Sequence, residues 1–326
     1  MQNGYMARLL ARLVENSGDL SIRFDANETA FLERELTQLR SKLFEVAYPD
    51  NVAMSLVPIA TDIAGYSDTY STPVLDRAGV AKIIGNGVTD VPRIDIKKDE
   101  ILGKVFTLGA SYGYELMELR KAAALSIPIE QWKPRAARSA IDDAVDQMLF
   151  KGRAQDDLSV GLTGIANHAS VTVNTTAFTI WAAADTSDAL LAELAIPASL
   201  LNVAVKNKAS LLPNTLLLAP AMYDVIANKQ VANTETTVLK YFLANNPYIT
   251  SVVQWSKLAL ANAGGTNARA VMYRRDPMVL EGVAPVLFEQ LPPQPQGLEI
   301  ITHCFARVGG TKIYHPEAML YLDHTG

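Results

Sequence analysis

One cysteine, Cys304, stands in a chain of 326 residues. It excludes an internal disulfide, so nothing in the chain asks for an oxidising compartment. Histidine is scarce too, with only His168, His303, His315 and His324. None of them forms an HExxH or other i,i+4 pair. His303 and Cys304 are adjacent, so in a strand they point to opposite faces and do not share an ion. The sequence shows no apolar run of membrane-span length. Residues 1–20 carry Arg8 and Arg12 among apolar residues but lack the long apolar centre of a signal peptide. Basic excess is missing as well: the formal net charge is −5. That argues against a dedicated nucleic-acid binder, which carries a basic face, but not against a surface that merely faces nucleic acid. The expectation is a soluble protein made and used in a reducing cytoplasm. Internal repeats and low-complexity segments are also lacking.

Apolar side chains are plentiful, at 49% against 19% charged. That is enough for a substantial core and, by length, for roughly two domains. The chain is organised around Pro128 to Gly152. There Ile129, Trp132, Ala136, Ala137, Ala140, Ile141, Ala144, Val145, Met148 and Leu149 recur at steps of three and four, one stripe of a helix. Arg138 and Asp142 sit four apart on the opposite side. Lys151 and Gly152 are stop signals. Pro134 either starts the helix proper or kinks a longer one. Such a rod needs a sheet or other helices to cover its stripe.

Residues 1–51 read as an arm. A short apolar face (Met6, Leu9, Leu10, Leu13, Val14) precedes a second helix from Glu28 to Phe44, capped by Asp25 or Asn27. Residues 52–110 are punctuated by Gly65, Gly79, Gly85, Gly87, Gly103 and Gly109, with a tight-turn signal at Gly85-Asn86-Gly87. Val52 to Ala64 reads as β-compatible. The stretch is expected to form a long two-stranded ribbon. A lone ribbon is marginal in water, so this one is expected to lie on another subunit.

Val105 to Tyr114 alternates as a strand, and Glu115 to Ala124 reads as a helix. Gly161 to Asn167 is a turn, and Val171 to Thr179 a strand or hairpin. A helix from Asp188 to Ala195 is expected to resume after a break as Pro197 to Lys208. Then come strands at Thr215 to Ala219, Ile249 to Trp255 and Ala270 to Tyr273, with helices Met222 to Asn228 and Thr236 to Asn245 between them. Pro292, Pro293 and Pro295 mark a linker-like crossing. Leu298 to Val308 reads as a last long strand, with Gly309-Gly310 turning Thr311 to Tyr314 back to pair. Strands that alternate with helices and then return indicate an α+β fold with a discontinuous domain.

No catalytic constellation stands out. Asp142, Asp143 and Asp146 cluster on the long helix, where a charged outer stripe explains them. Glu115 and Glu118 read as a solvated helix face, with a carboxylate pair as the second reading. Gly85-Asn86-Gly87 and Gly264-Gly265 lack the strand-to-helix setting of a phosphate loop. Ser199 and Ser210 sit in no nucleophile elbow. Arg274-Arg275-Asp276 reads as a surface turn, with pairing between subunits as the second reading. Lys82, Lys97 and Lys98 are on the ribbon, where solvation is the simpler reading and a covalent link between subunits the sharper one. No catalytic, cofactor-binding or metal residue is assigned.

Several stretches resemble the tailed-phage major capsid proteins of the Hong Kong 97-type fold, which encapsulins share. The strongest are Tyr273 to Leu280, Phe288 to Gln294, Gly297 to Glu299, Ala306 to Gly310 and His315 to Asp323. Ala136-Ala137-Arg138, Phe150-Lys151-Gly152 and the Gly161 to Asn167 turn are similar too. These motifs cover about the last two-thirds of the chain and concern layout, not active chemistry. The resemblance implies an N-terminal arm with helix (1–51) and an extended β-ribbon loop reaching over a neighbour (52–110). It implies a peripheral domain (111–196) with a spine helix (128–152) and an axial α/β domain at five- and six-fold axes (197–291). Residues 292–326 would return to the peripheral domain.

The implied role is a shell subunit that assembles through pentamers and hexamers into an icosahedral head around double-stranded DNA, facing that DNA without sequence-specific binding. It would be a component of the virion, assembled in the host bacterial cytoplasm, with portal and scaffolding or decoration proteins as partners. With no long N-terminal extension to act as a built-in scaffold, a separate scaffolding protein is expected. It would not be an enzyme and would touch no membrane. The alternatives are an encapsulin-like compartment enclosing enzymes and a cytoplasmic α/β enzyme acting on a small polar ligand. Deleting residues 66–100 is expected to leave soluble protein that cannot close shells.

Overall fold

Twenty-three consecutive residues, Ile129–Lys151, form the long helix, and Pro134 sits inside it without ending it. The structure is a computed structural model that describes residues 49–81, 83, 93–125, 129–152, 162–175, 181, 185–206, 208–261 and 265–323. The expected helices of the arm, Gly85-Asn86-Gly87, Lys82, Gly264 and His324 lie outside the described residues.

In chain order the elements begin with a helical turn, α1 (Ala53–Leu56), and a short strand, β1 (Ile59–Ala60). Then come β2 (Thr69–Ala78), β3 (Asp95–Lys104) and β4 (Phe106–Glu115). Two helices follow, α2 (Leu116–Leu125) and the long α3 (Ile129–Lys151). After β5 (Thr172–Asn174) and α4 (Ser187–Ala204) come β6 (Thr215–Leu218), α5 (Pro220–Asn228) and α6 (Val238–Asn245). The last part holds β7 (Ser251–Gln254), β8 (Arg269–Tyr273), β9 (Leu280–Val283), β10 (Val286–Gln290), β11 (Gln294–Gln296), β12 (Glu299–Val308), β13 (Gly310–Ile313) and β14 (Met319–Asp323).

These strands make four sheets. The central one runs β5-β14-β8-β6-β7. Every residue of β6, β8 and β14 is buried, which is why these strands read as continuous apolar runs. β6 and β7 are parallel and joined through α5 and α6, while β8 enters antiparallel between β6 and β14. A second sheet sets β12 between β4 on one side and β10 and β11 on the other. A third runs β1-β9-β13, and the ribbon β2-β3 is the fourth.

On α3 the buried stripe is Ala137, Ile141, Val145, Met148 and Leu149, as the periodicity requires. Its far end is gripped by the 162–168 turn. Ile165 N donates to Leu149 O and Ala166 N to Phe150 O. A Cβ on Gly164 would collide with Phe150 O, so only glycine lets that turn lie on the helix end.

Four expectations are corrected. Val52 to Ala64 is not all β: Ala53–Leu56 turns helically and buries Ala53 and Leu56. No break separates two helices at Pro197, because α4 runs unbroken through it, with Thr186 Oγ1 accepting from Ala189 N at the start. Pro295 does not merely cross; it lies in the edge strand β11, which pairs with Glu299–Ile301 of β12, and an edge strand tolerates proline. Thr311 to Tyr314 does not turn back on β12; β13 pairs with β9 instead. Leu298 to Val308 is the last long strand, as expected, but a short strand that the sequence reading did not include comes after it and β13. That strand, β14, joins the central sheet beside β8, so residues 292–326 divide among three sheets, β11 and β12 in one, β13 in another and β14 in the central one.

Candidate assembly surfaces

The ribbon is the most exposed part of the described chain. Its register pairs Thr69 with Lys104 through Ala78 with Asp95. Paired residues share a face, so the ribbon has two. One carries Tyr70, Thr72 and Ile101, half-buried where the ribbon leaves the body. The other carries Leu102, Pro73, Leu75 and Ile96, flanked by Lys98, Glu100 and Arg77. Leu102 is 70% exposed, Leu75 67% and Ile96 65%. Beyond Thr72 and Ile101, every described ribbon residue is exposed.

Its root is clasped. Arg307 of β12 donates to Gly65 O at 2.8 Å and to Ser67 O at 3.1 Å, and pairs with Asp68. Val105 N donates to Asp68 O. Lys312 of β13 donates to Leu102 O at 3.0 Å. Tyr314 donates to Glu281 at 3.2 Å. Burial pushes the Glu281 carboxyl above its usual range; the Tyr314 hydrogen bond opposes that shift and the nearby Asp62 adds to it. The Tyr70 ring lies over Gly103, its cross-strand partner, where a Cβ would clash with it.

The body is locked by buried charge. Arg269 and Asp323, register partners on β8 and β14, form a bidentate pair, with Nη2 to Oδ2 at 2.7 Å. The same guanidinium donates to Ala166 O and lies 4.6 Å over the Tyr321 ring. Tyr321 donates to Ile165 O at 2.7 Å and accepts from His168 N. Burial pushes the Tyr321 phenol up and holds the His168 imidazole down.

Asp146 departs from its expected outer stripe. It is fully buried, pairs with Lys257 and accepts from Ala53 N at 2.7 Å. Only Asp142 and Asp143 face outward, to Arg138 and to Asn51. Glu118 is held by Lys133 at 2.6 Å, whose hydrogen bond lowers the carboxyl pKa, and so does not pair with Glu115. Arg274-Arg275-Asp276 is a turn fixed by Asn214, which accepts from Arg275 N. Lys97 and Lys98 are exposed on β3. Cys304 is buried, and His315 pairs with Glu317 at 3.0 Å. Among the described residues no three His, Cys, Asp or Glu side chains converge as metal ligands would.

Two open grooves flank α4. One, about 380 Å³, lies between α4, β5 and Glu317; the other, about 410 Å³, lies between α4 and the α6 end at Tyr241 and Tyr248. Between them the outer face of α4 leaves Ile196, Leu200 and Val203 exposed. Sequence reading missed this surface, and also the clasp of Arg307. The available signal for α4 was charge: from Ala189 to Val205 only Glu193 is ionisable.

Residues 79–324 match the family model described as major capsid protein. Among solved structures, the capsid of Myoviridae phage XM1 superposes with a TM-score of 0.78 at 17% identity, over 90% of this chain and 98% of that one. The capsid protein of a native GTA particle gives 0.61 at 12% identity, over 93% and 100%. A chain from Mycobacterium phage Ogopogo gives 0.60 at 11%, over 90% and 98%. None of the curated proteins matches the sequence.

Proposed function

The chain belongs to the major capsid protein family, and on that premise we propose how its parts serve a phage shell. The protein is a structural subunit of a phage capsid with the Hong Kong 97-type fold, and its copies assemble with one another into the shell. The finer reading is this. Residues 52–110 reach over a neighbouring subunit, and the apolar ribbon face with Leu75, Ile96 and Leu102 is what the neighbour covers. Residues 111–196, with the spine helix, make the peripheral domain. Residues 197–291 make the axial domain at five- and six-fold axes, and 292–326 tie the chain back. Residues 1–51 form the arm.

The shell encloses double-stranded DNA, consistent with a net charge of −5 that does not favour tight holding of phosphate. Portal and scaffolding or decoration proteins are its other partners, and assembly takes place in the host bacterial cytoplasm. The chain performs no catalysis; its mechanism is geometric, as heterologous contacts close rings and rings close a shell.

The observation that carries this reading is the ribbon. Ten residue pairs project from the body with apolar side chains in water and no layer beneath most of them. Exposed hydrophobic strands of that kind are interaction surfaces or liabilities. The test is electron microscopy and sedimentation of the protein, alone and co-expressed with its neighbouring proteins. Closed shells are expected from the full chain. Removing residues 74–99, and joining Pro73 to Glu100 through a two-residue turn, spares the Tyr70 and Arg307 clasp. It should leave a folded subunit that closes no shells; normal shells from it would refute the role given to the ribbon.

A further inference from the structure

Where β4 meets β12, the last register pair before α2 is Glu115 with Glu299. Paired residues share a face, so two carboxylates stand side by side, both exposed. Like charges directly opposite destabilise a sheet. The N-terminus of α2, one residue on, favours an acid at Glu115 but not a second at Glu299. Among the described residues neither has an ion-pair partner, whereas nearby Glu118 takes Lys133. Apolar side chains flank the pair. Leu298 is 75% exposed, Met117 53% and Leu116 42%. Leu116 N donates to Leu298 O at 3.0 Å, which ties the start of α2 to the β11–β12 turn. The chain thus leaves in water a patch that is both apolar and acidic.

The ribbon offers the opposite charge. Its face with Leu75 and Ile96 carries Arg77 and Lys98, and Lys104 at its root, against Glu100 alone. Ser71 already donates to Glu100 at 3.1 Å, and the exposed Lys98–Glu100 contact is long, at 3.9 Å, and so worth little. The other face carries Asp76, Asp95 and Asp99 against Lys97 alone. The apolar face is therefore the basic one, and a surface that is apolar and acidic fits it. The chain's own ribbon does not supply its own patch, because Arg77, Lys98 and both glutamates are exposed. Arg307 clasps the ribbon root eight residues along β12 from Glu299, about 27 Å away at roughly 3.4 Å per residue. One end of this sheet face gives off a ribbon, and the other end lacks one. Two different patches then meet, the ribbon of one copy and the sheet end of the next. Such a contact is heterologous and repeats around a ring, as five- and six-fold axes require.

We propose that the basic, apolar face of the ribbon docks on the Glu115–Glu299 patch of the next copy, with Arg77 and Lys98 supplying the cations that the two carboxylates lack. The inference rests on the reading of the chain as a shell subunit, and its test separates the two. Glu115→Gln with Glu299→Gln removes the repulsion within the subunit. The free subunit should melt no lower than the wild type, while the yield of closed particles falls several-fold. A lower melting temperature would give the pair a structural role instead, and an unchanged yield would overturn the contact. Cys304 is 2% exposed, so introduced cysteines are the reactive thiols. Particles of full-length Lys98→Cys with Glu299→Cys, mildly oxidised, should run as a ladder of covalent oligomers on a non-reducing denaturing gel. Monomer alone overturns the contact, and dimer with nothing larger overturns its head-to-tail order; both leave the shell reading intact. If that variant does not assemble, charge reversal decides. Glu115→Lys with Glu299→Lys should close no particles, and adding Arg77→Glu and Lys98→Glu to the same chain should restore them; no restoration counts against the contact. Failure of the wild type to form any particle with its neighbouring proteins present would remove the shell reading first.

Discussion

The central sheet and the ribbon both carry large apolar side chains, yet they hold those side chains in opposite surroundings. Val271, Met272, Leu320 and Leu322 are sealed at 0–4% exposure, while Leu75, Ile96 and Leu102 stand in water. Composition separates them in part, since β2 and β3 carry many charged residues and the central strands only Arg269 and Asp323, and neighbours do the rest. The sheet has α4 packed on β14 and α5 on β7, and the end of α3 joins the same core. The ribbon has two strands and a clasped root. Burying a large aliphatic side chain gains about 1.5–3 kcal/mol. In the sheet that gain is collected within one chain; on the ribbon it is not, and the proposed role assigns it to a second. On the proposed reading, the ribbon keeps its apolar area for assembly.

Charge inside the body gives the largest expected effect. Asp323→Ala would leave Arg269 buried without its bidentate partner, between β8 and β14 and under the 162–168 turn. Loss of one member of such a pair costs about 3–5 kcal/mol. Equilibrium denaturation of the unassembled subunit should show that loss, and a change under 1 kcal/mol would mean the pair is solvated in the free subunit. Next is a matched pair of truncations. Leu217→Ala in β6 should cost about 2–5 kcal/mol through the cavity it leaves. Leu75→Ala on the ribbon should stay within about 0.5 kcal/mol in the same assay, as an exposed substitution does. Its effect should appear instead as a lower yield of closed shells by sedimentation. Equal costs for the two would erase the contrast between the regions.

Much of this contrast was legible in the sequence. Glycines at intervals, short alternating pieces and a linking turn signal marked the ribbon, and three-and-four spacing marked α3. Both are local patterns, and local patterns survive in a linear string. β14 was harder. Met319–Asp323 is buried on both faces, so it shows no alternation, and Asp323 looks like a polar stop until Arg269 is placed beside it. Asp146 misled for a related reason. It sits near Asp142 and Asp143 in sequence, but its partner Lys257 is 111 residues away. No periodicity announces a charge neutralised at that distance. Pro197 read as a break because proline removes a helix hydrogen bond; here it is buried in a helix whose apolar contacts outweigh that loss. The surfaces of assembly were legible only in part, because which apolar residues stay uncovered depends on the whole fold.

The smallest expected effect sits where the two regions meet. Glu281, on β9 at the ribbon root, is held above the usual carboxylate range by burial and by Asp62, while Tyr314 donates to it. A carboxyl whose folded pKa is raised favours the folded state while it is protonated. Between the ordinary value, about 4.3, and the raised one, the unfolded chain ionises first. Stability attributable to this group is therefore lost as pH rises through that window and is flat above it. Glu281→Gln keeps an acceptor for Tyr314 and removes the charge. The wild type should lose melting temperature relative to Glu281→Gln on going from mildly acidic to neutral pH, and the two should converge on acidification. Parallel curves would mean the carboxyl is as well hydrated at the root as in the unfolded chain. In that case the clasp rests on Arg307 and Lys312, and the boundary between body and ribbon is indifferent to protons.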